Sequence, residues 1–360
     1  MALSRLDICQ LRNLTSVRLE PHPRFNGLYG ANGSGKTTVL EAIYILGRGT
    51  SFRGKDLGQA LQIGADAFHL AARLEPQGVS LGIEYQPKEG VHYRLGGQPL
   101  RSRLDLAQQL PLLFISPDSH ALISGGPQGR RRFLDWGLFH VEPSFIATWR
   151  RYHRALKQRN RALGAHGVET AWDPELAQAA EHITALRQGY LRRLQPYVIH
   201  YGRRLGTIPE LGLQYSPGWR QDLDFPSALK ASLPQDRASG FTRQGPHRAD
   251  LVVKANGRLA KETISRGQQK LLVIALLLAQ VALLNEEAGL SPVILVDDLA
   301  AELDQPHKAL LLEVLQERQA QVFLTVTERQ LLSESEGAIR WFHVELGQVR
   351  PLAEAGKAGP

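Results

Sequence analysis

Between residues 3 and 20 apolar and polar positions alternate loosely, as in strands, with a turn near Asn13. A short apolar run over 25–29 predicts a strand, and the apolar stretch 38–46 predicts a buried helix. Three further β-like runs, 68–74, 79–85 and 91–95, are separated by Gly and Pro. From about Pro117 to Pro196 the pattern turns helical, with long arginine-bearing segments over 145–163 and 174–194. Residues 205–240 carry scattered Pro and Gly and read as loops around a short strand near Leu213, Gln214 and Tyr215. After Phe241 come a strand over 250–254, a turn at Gly257 and a strongly apolar helix opening at Ser265. Buried strands are expected over 292–297 and 322–326. No internal repeat is present, the only biased tract is the Ala/Gly-rich tail after Leu352, and no heptad pattern persists.

This order predicts an α/β chain of two lobes. Residues 1–115 and 290–360 would form one, and residues 116–289 a largely helical second. At 360 residues the chain has ample length for both cores.

Composition changes the picture in three respects. Forty-three Lys and Arg against 35 Asp and Glu give a net charge of +8, which favours a polyanionic partner, nucleic acid before an anionic membrane surface. The single cysteine, Cys9, excludes an intrachain disulfide and a cysteine-rich metal site, and is expected to pack in the core of the first strand. The N-terminus lacks the basic-then-apolar layout of a secretory signal. The longest apolar run, 271–284, is 14 residues, contains Gln280 and is too short to span a bilayer. A cytoplasmic protein without a membrane partner is expected.

The strongest chemical signal is Gly30-Ala31-Asn32-Gly33-Ser34-Gly35-Lys36-Thr37-Thr38, a complete Walker A loop between an expected strand and an expected helix. Gly30, Gly33 and Gly35 let the backbone curl so that its N–H groups and the helix N-terminus surround a phosphate chain. Lys36 would sit on the β- and γ-phosphates, and Thr37 would place its hydroxyl on Mg²⁺. Far along the chain, the apolar run 293–296 ends in Asp297-Asp298, a Walker B arrangement. Asp297 would hold Mg²⁺ opposite Thr37, and Asp298 would polarise the attacking water. Some 260 residues separate the two motifs, which argues against a compact GTPase or RecA-like core.

Ser265-Arg266-Gly267-Gln268 opens the apolar helix. Ser265 with Gln268 three residues on is a capping box. The same helix start presents a hydroxyl, backbone N–H groups and a positive dipole end to a phosphate, and the two roles are compatible. Glu302-Leu303-Asp304 follows the Walker B turn closely enough to reach the same neighbourhood.

Walker A, a Ser-x-Gly-Gln helix start, Walker B and a Leu-Asp turn, in that order, resemble the ABC-type ATPases. That resemblance implies a P-loop ATPase head, with ATP sandwiched in a homodimer between Walker A of one copy and the signature helix of the other. Further segments are similar to the RecF family of bacterial DNA-repair proteins. They are Pro117-Asp118, Leu122-Ile123, the run 125–135 with Arg130-Arg131-Arg132, Tyr152, the run 156–160, Gly245-Pro246-His247-Arg248-Ala249-Asp250, and the run 296–304 with His307. The resemblance runs from Arg12 to about Thr327. It implies an ATP- and Mg²⁺-dependent protein that dimerises on ATP, clamps gapped or junction DNA, and works with RecO and RecR to place RecA in recombinational repair. It also implies that Arg12 approaches the nucleotide, although a surface strand-end arginine reads equally well. With Ser265, Gly267, Gln268 and Asp304 it completes the expected nucleotide set.

Departures from transporter ATPases accompany the resemblance. Arg266 stands where transporters usually have glycine, Asp298 where they have the catalytic glutamate, and Thr327 where they have a histidine. A shorter carboxylate and no histidine position the attacking water less well, so slow, DNA-dependent ATP hydrolysis is expected. The usual glutamine-containing loop has no clear location.

For DNA, Arg150, Arg151, Arg154, Lys157, Arg159 and Arg161, interleaved with Trp149 and Tyr152, form a stretch without an acid. On a helix, residues 150, 154, 157 and 161 share one face, suited to tracking phosphates or simply to solvation. Arg130–Arg132 could instead be held in ion pairs with Asp118 and Asp135. An SMC-type bridging protein is disfavoured because residues 140–240 offer no coiled-coil arms. A transporter subunit is disfavoured by Arg266, Asp298 and Thr327, and a nuclease-bearing repair ATPase by the lack of a second cluster of metal ligands.

Overall fold

The computed structural model describes residues 2–165, 168–206, 210–298, 303–329 and 339–352. The chain divides into two compact units, residues 1–118 with 289–360, and residues 119–288.

The first unit has two six-stranded sheets. One is antiparallel and runs β2-β1-β4-β5-β6-β7: Leu14–Leu19, Ala2–Leu11, Phe68–Glu75, Val79–Gln86, Gly90–Leu95 and Gln98–Pro99. In β4 every second residue is buried, the pattern of a sheet with one face on a core. β1 follows the same rule through Leu6 and Ile8, with a bulge between Leu3 and Arg5. The bulge and the alternation put Cys9 on the opposite face, where it is half-buried rather than in the core. The second sheet runs β15-β14-β3-β13-β12-β8. Its strands β3 (Phe25–Tyr29), β8 (Leu112–Ile115), β12 (Val293–Val296), β13 (Gln321–Val326) and β14 (Arg340–Glu345) are parallel, and β15 (Gln348–Pro351) closes an antiparallel hairpin. β12 and β13 are buried at every residue, as parallel strands covered on both faces must be. Helix α1 (Lys36–Arg48) lies within the same core as residues of both sheets, with Val39, Leu40, Ile43, Ile45 and Leu46 fully enclosed. Each such side chain contributes about 1.5–3 kcal/mol through burial.

The second unit is mainly helical, with α4 (Pro127–Val141), α5 (Phe145–Gly164), α6 (Asp173–Arg204), α7 (Phe225–Ser239) and α9 (Arg266–Ala288) beside a small antiparallel sheet β11-β10-β9 (Arg258–Leu259, Asp250–Ala255, Leu211–Ser216). α2 (Arg103–Gln109) belongs to the first unit, and two single-turn helices, α3 (Ala121–Ser124) and α8 (Ala260–Thr263), to the second. In α9 every residue from Leu271 to Leu284 is buried. This helix is long and apolar enough to cross a membrane, yet most of it lies inside the fold. Gln280 is accommodated because its amide donates to the Phe133 carbonyl at 2.8 Å and to the Tyr190 hydroxyl at 3.1 Å. Gly137 is obligatory at that crossing, since a Cβ there would lie 2.0 Å from the Tyr190 oxygen.

Three sequence expectations change. The stretch 225–239, read as loop because of its prolines, is a helix. Asp224 caps it by accepting from the Ser227 N–H, Pro226 sits in the first turn where no N–H is needed, and Gly240 ends it in the left-handed region. α6 continues past Pro196 to Arg204 instead of stopping near residue 194. Strands β8, β14 and β15 lie where no element was expected.

Buried arginines in the second unit are held by carboxylates. Arg159, with no exposed surface, donates to Asp173 at 2.7 Å and to Asp236 and Thr242 at 2.8 Å. Arg187 forks onto Asp135 at 2.9 and 3.0 Å and donates to the Pro246 carbonyl at 2.8 Å. Arg130 pairs with Asp250 at 2.7 Å and Arg131 donates to the Ala249 carbonyl, so Asp118 and Asp135 are not their partners.

His247 belongs to this network. The Tyr152 hydroxyl lies 2.6 Å from Nδ1, and Nε2 lies 3.0 Å from the Thr242 carbonyl. Burial pushes its pKa down to about 4, helped by Arg248 and Arg131, and outweighs the Thr242 carbonyl. The folded value lies below the unfolded one, so the neutral imidazole stabilises the fold above about pH 6.5 and that stability is lost as pH falls towards 4. Urea unfolding should show about 2 kcal/mol lost between pH 7 and 5 that is absent in His247→Gln. An unchanged slope in that variant would refute this assignment.

Candidate nucleotide-binding site

The glycine loop joins β3 to α1, and three features shape it. Gly30 adopts φ +151°, and a Cβ there would come within 2.1 Å of the Val344 carbonyl. Gly35 precedes α1 at φ +120°, and no side chain caps the helix, so its first N–H groups point into the loop without an internal partner. The loop is braced from outside by Asn13, whose amide donates to the Ser34 carbonyl at 3.2 Å and whose oxygen accepts from Thr38 Oγ1 at 3.0 Å. Sequence reading assigned Asn13 only to a turn.

The carboxyl ends of three adjacent parallel strands converge here, the usual position for ligands in such sheets. β3 delivers the loop, β12 ends in Asp297 and Asp298, and β13, between them, supplies Thr325. Thr37 Oγ1 donates to Asp297 Oδ1 at 2.9 Å, and Thr325 Oγ1 donates to the same oxygen at 2.8 Å. Asp298 turns out of the strand at φ +50°, and its N–H donates to Thr325 Oγ1 at 2.7 Å. Motifs 260 positions apart therefore meet in direct contact. The Thr37 hydroxyl and the Asp297 carboxylate are hard oxygen donors of the kind that hold Mg²⁺ beside substrate phosphates, so the set fits that ion.

Lys36 is almost buried, and its ammonium donates to the carbonyls of Gly30 at 2.6 Å and Ala31 at 2.9 Å. Burial lowers its pKa, against the opposing pull of Asp298 and Asp297. A cleft of about 370 Å³ is lined by Arg12, Asn13, Asn32, Gly33, Gly35, Lys36, Thr37, Thr38, Arg53, Asp297, Asp298, Thr325 and Thr327. Gly30 serves from beneath, through its carbonyl. Arg12 and Arg53 share the buried carboxylate of Glu41, and Arg53 and Glu41 have no motif to announce them.

Other expected nucleotide ligands are not among the residues that line this cleft. Ser265 and Gln268 form the capping box reciprocally: Ser265 N–H donates to Gln268 Oε1 at 3.0 Å and Gln268 N–H to Ser265 Oγ at 3.3 Å. Residues 265–268, Arg266 and Gly267 included, are exposed. Asp304 is outside the cleft lining. It caps helix α10 (Gln305–Gln316) by accepting from the His307 N–H at 3.1 Å, and the His307 ring lowers its pKa. Glu302 lies outside the described residues.

Along α5, Arg150, Arg154, Lys157 and Arg161 are exposed on one face. Arg151 is tied to Glu175 and Gln178, each at 2.8 Å. Arg159 and Tyr152 are buried, which removes both from any phosphate-contacting set. Their spacing already puts them on the opposite side of the helix from Arg154 and Lys157.

A phosphate loop over an uncapped helix, joined through a threonine to a strand-end aspartate, defines a P-loop nucleotide-binding head, here with a helical second unit of ABC type. The sequence matches the family described as RecF/RecN/SMC N terminal domain over residues 2–350. It is 42% identical over 367 residues to the DNA replication and repair protein RecF of Pseudomonas aeruginosa strain LESB58, covering 99% of each chain. The RecF of Pseudomonas fluorescens strain Pf-5 is 42% identical over 363 residues, covering 97% of this chain and 98% of the relative. A solved structure of the recombination mediator protein RecF-ATPrS in the RecFOR pathway superimposes with a TM-score of 0.86 at 25% identity, covering 98% of both chains. An Smc head bound to the C-terminal winged-helix domain of ScpA shares the fold, at a TM-score of 0.59, 15% identity and 98% coverage of both chains. The chain belongs to the RecF family.

Proposed function

We propose that this chain is a cytoplasmic, ATP-dependent DNA-binding repair protein that dimerises on ATP, clamps gapped or junction DNA, and helps load RecA together with RecO and RecR. The observation that carries the nucleotide part is the Thr37–Asp297–Thr325 cluster at the foot of an uncapped helix N-terminus. The repair role rests on the RecF relatives.

In this reading, loop N–H groups and Lys36 bind the phosphate chain, with Lys36 leaving the Gly30 and Ala31 carbonyls for the β- and γ-phosphates. Thr37 and Asp297 hold Mg²⁺, whose chemistry is to neutralise charge developing on the phosphates. Asp298 orients the attacking water. Its short side chain and the threonine at 327 make hydrolysis slow, so that ATP acts as a dimer latch and hydrolysis as release. Ser265, Gly267 and Gln268 of one protomer complete the site of the other, through a helix N-terminus that is capped yet exposed. Arg150, Arg154, Lys157 and Arg161 track phosphates without base readout.

Fluorescence anisotropy of a labelled gapped duplex tests this at near-physiological salt, with and without ATP–Mg²⁺. Tight binding is expected only with ATP, lost in Lys36→Met and prolonged in Asp298→Asn. Each of the four exposed α5 cations that contacts phosphate should contribute about 0.9 to the slope of log K against log salt, removable by substitution to Gln. Binding indifferent to nucleotide would sink the clamp and leave the ATP site to a protein partner.

A further inference from the structure

Glu41 is the only carboxylate in α1, and its neighbours Leu40, Ala42 and Ile43 are core residues. It lies one helical turn beyond Thr37 and has no exposed surface. Nothing in the packing requires a charge there, and burying one without partners is expensive. Its oxygens are spent on three groups. Arg12 donates side-on through Nε at 2.5 Å and Nη2 at 2.7 Å, Ser51 Oγ donates at 2.5 Å, and Arg53 Nε lies 3.6 Å away. Ser51 also accepts from the Arg53 N–H at 2.9 Å, which fixes the start of the segment carrying that arginine.

Both arginines line the nucleotide cleft. Arg12 leaves the strand in the left-handed region at φ +48°, and its Nη1 donates to the Gln59 carbonyl at 3.1 Å. Three of its five N–H donors are thereby engaged among the described residues, leaving two for a ligand. The two arginines and one carboxylate sum to +1, so the cleft wall keeps a net positive charge that an unpaired arginine pair would hold less rigidly. A side-on carboxylate clamp also fixes the guanidinium plane, which a solvent-exposed arginine would lack.

We infer that Glu41 is a positioning residue: from inside the core it holds Arg12 and Arg53 against the cleft so that both guanidinium groups meet the bound polyphosphate. This rests on the ATP-binding reading above. Glu41 touches no ligand itself and acts through the two arginines.

The test measures mant-ATP affinity and steady-state ATPase kinetics for the full chain and for Glu41→Gln, Arg12→Gln, Arg53→Gln, the two arginine substitutions combined and the triple variant. Glu41→Gln should weaken mant-ATP binding about tenfold and raise KM by a similar factor, with kcat within twofold, the mark of lost uniform binding. The loss should not add to those of the arginine variants, because Glu41 has no route to the ligand except through them. Unchanged affinity in Glu41→Gln, or a triple variant that binds more weakly than Arg12→Gln combined with Arg53→Gln, would overturn the inference. Failure of the unmodified chain to bind mant-ATP would instead sink the reading on which it rests. If Glu41→Gln does not fold, Ser51→Ala and Arg53→Gln decide. Each spares the carboxylate and should raise KM two- to fivefold without changing kcat, and no change in either would be equally fatal.

Discussion

Lys36→Met should abolish the rise in melting temperature expected of the unmodified protein with ATP–Mg²⁺, while leaving the ligand-free protein no less stable. Two observations set these directions. In the ligand-free fold the Lys36 ammonium is nearly buried and reaches only backbone carbonyls. Burial holds its pKa below the ordinary lysine value, so its folded pKa is the lower one and the charge opposes folding at neutral pH. A polyphosphate reverses that balance by supplying charge-assisted hydrogen bonds to a lysine already largely desolvated by burial. Losing them should cost at least about 100-fold in ATP affinity, roughly 2.7 kcal/mol. Ligand-induced stabilisation follows affinity by mass action, so thermal scans with and without nucleotide read the loss directly. A variant that kept the full nucleotide shift would show that Lys36 is not the phosphate lysine.

Arg159→Met should destabilise the chain by about 3–5 kcal/mol, because it strands the fully buried Asp236 beside a gap in the interior and takes from Asp173 its partner. Asp236 is itself fully buried and also accepts from the Arg243 N–H at 3.0 Å, so it cannot turn to water without breaking a second bond. Arg154→Met, five residues earlier on the exposed face, should stay within about 0.5 kcal/mol. Urea unfolding followed by intrinsic fluorescence separates the two. The pair discriminates between two meanings of one basic stretch: an Arg159 variant that unfolds normally but binds DNA poorly would restore it to the phosphate-contacting set. An Arg159 variant within 1 kcal/mol of the parent would show that the network is not load-sharing.

The arginines of α5 illustrate where sequence reading stops. Residues 150, 154, 157 and 161 were legible as one face because helical period alone fixes which positions share a side. The same period sets Arg159 on the opposite side from Arg161, but nothing local says what it pairs with there. Its partners come from Asp173, Asp236 and Thr242, up to 83 positions away. The same holds for α7: Asp224, Pro226 and Gly240 are start and stop signals, but proline at 226 and 234 outweighed them when no packing partner was in view. Strand β14 is another instance, since its pairing with β3 brings together Trp341 and Gly27 from opposite ends of the chain.

The nucleotide site divides along the same line. The sequence by itself determined the phosphate loop, the aspartate pair, the capping box and the family, because each depends on residue types at fixed short spacings whose chemistry is local. Only the tertiary structure decided that Thr37 and Asp297, expected to face each other, touch directly, that Thr325 from the intervening strand clamps the carboxylate, that Asn13 braces the loop, and that Glu41 gathers Arg12 and Arg53. These contacts arise from strand order, and strand order is set by how the buried faces of distant segments pack together, a property that no window of sequence contains.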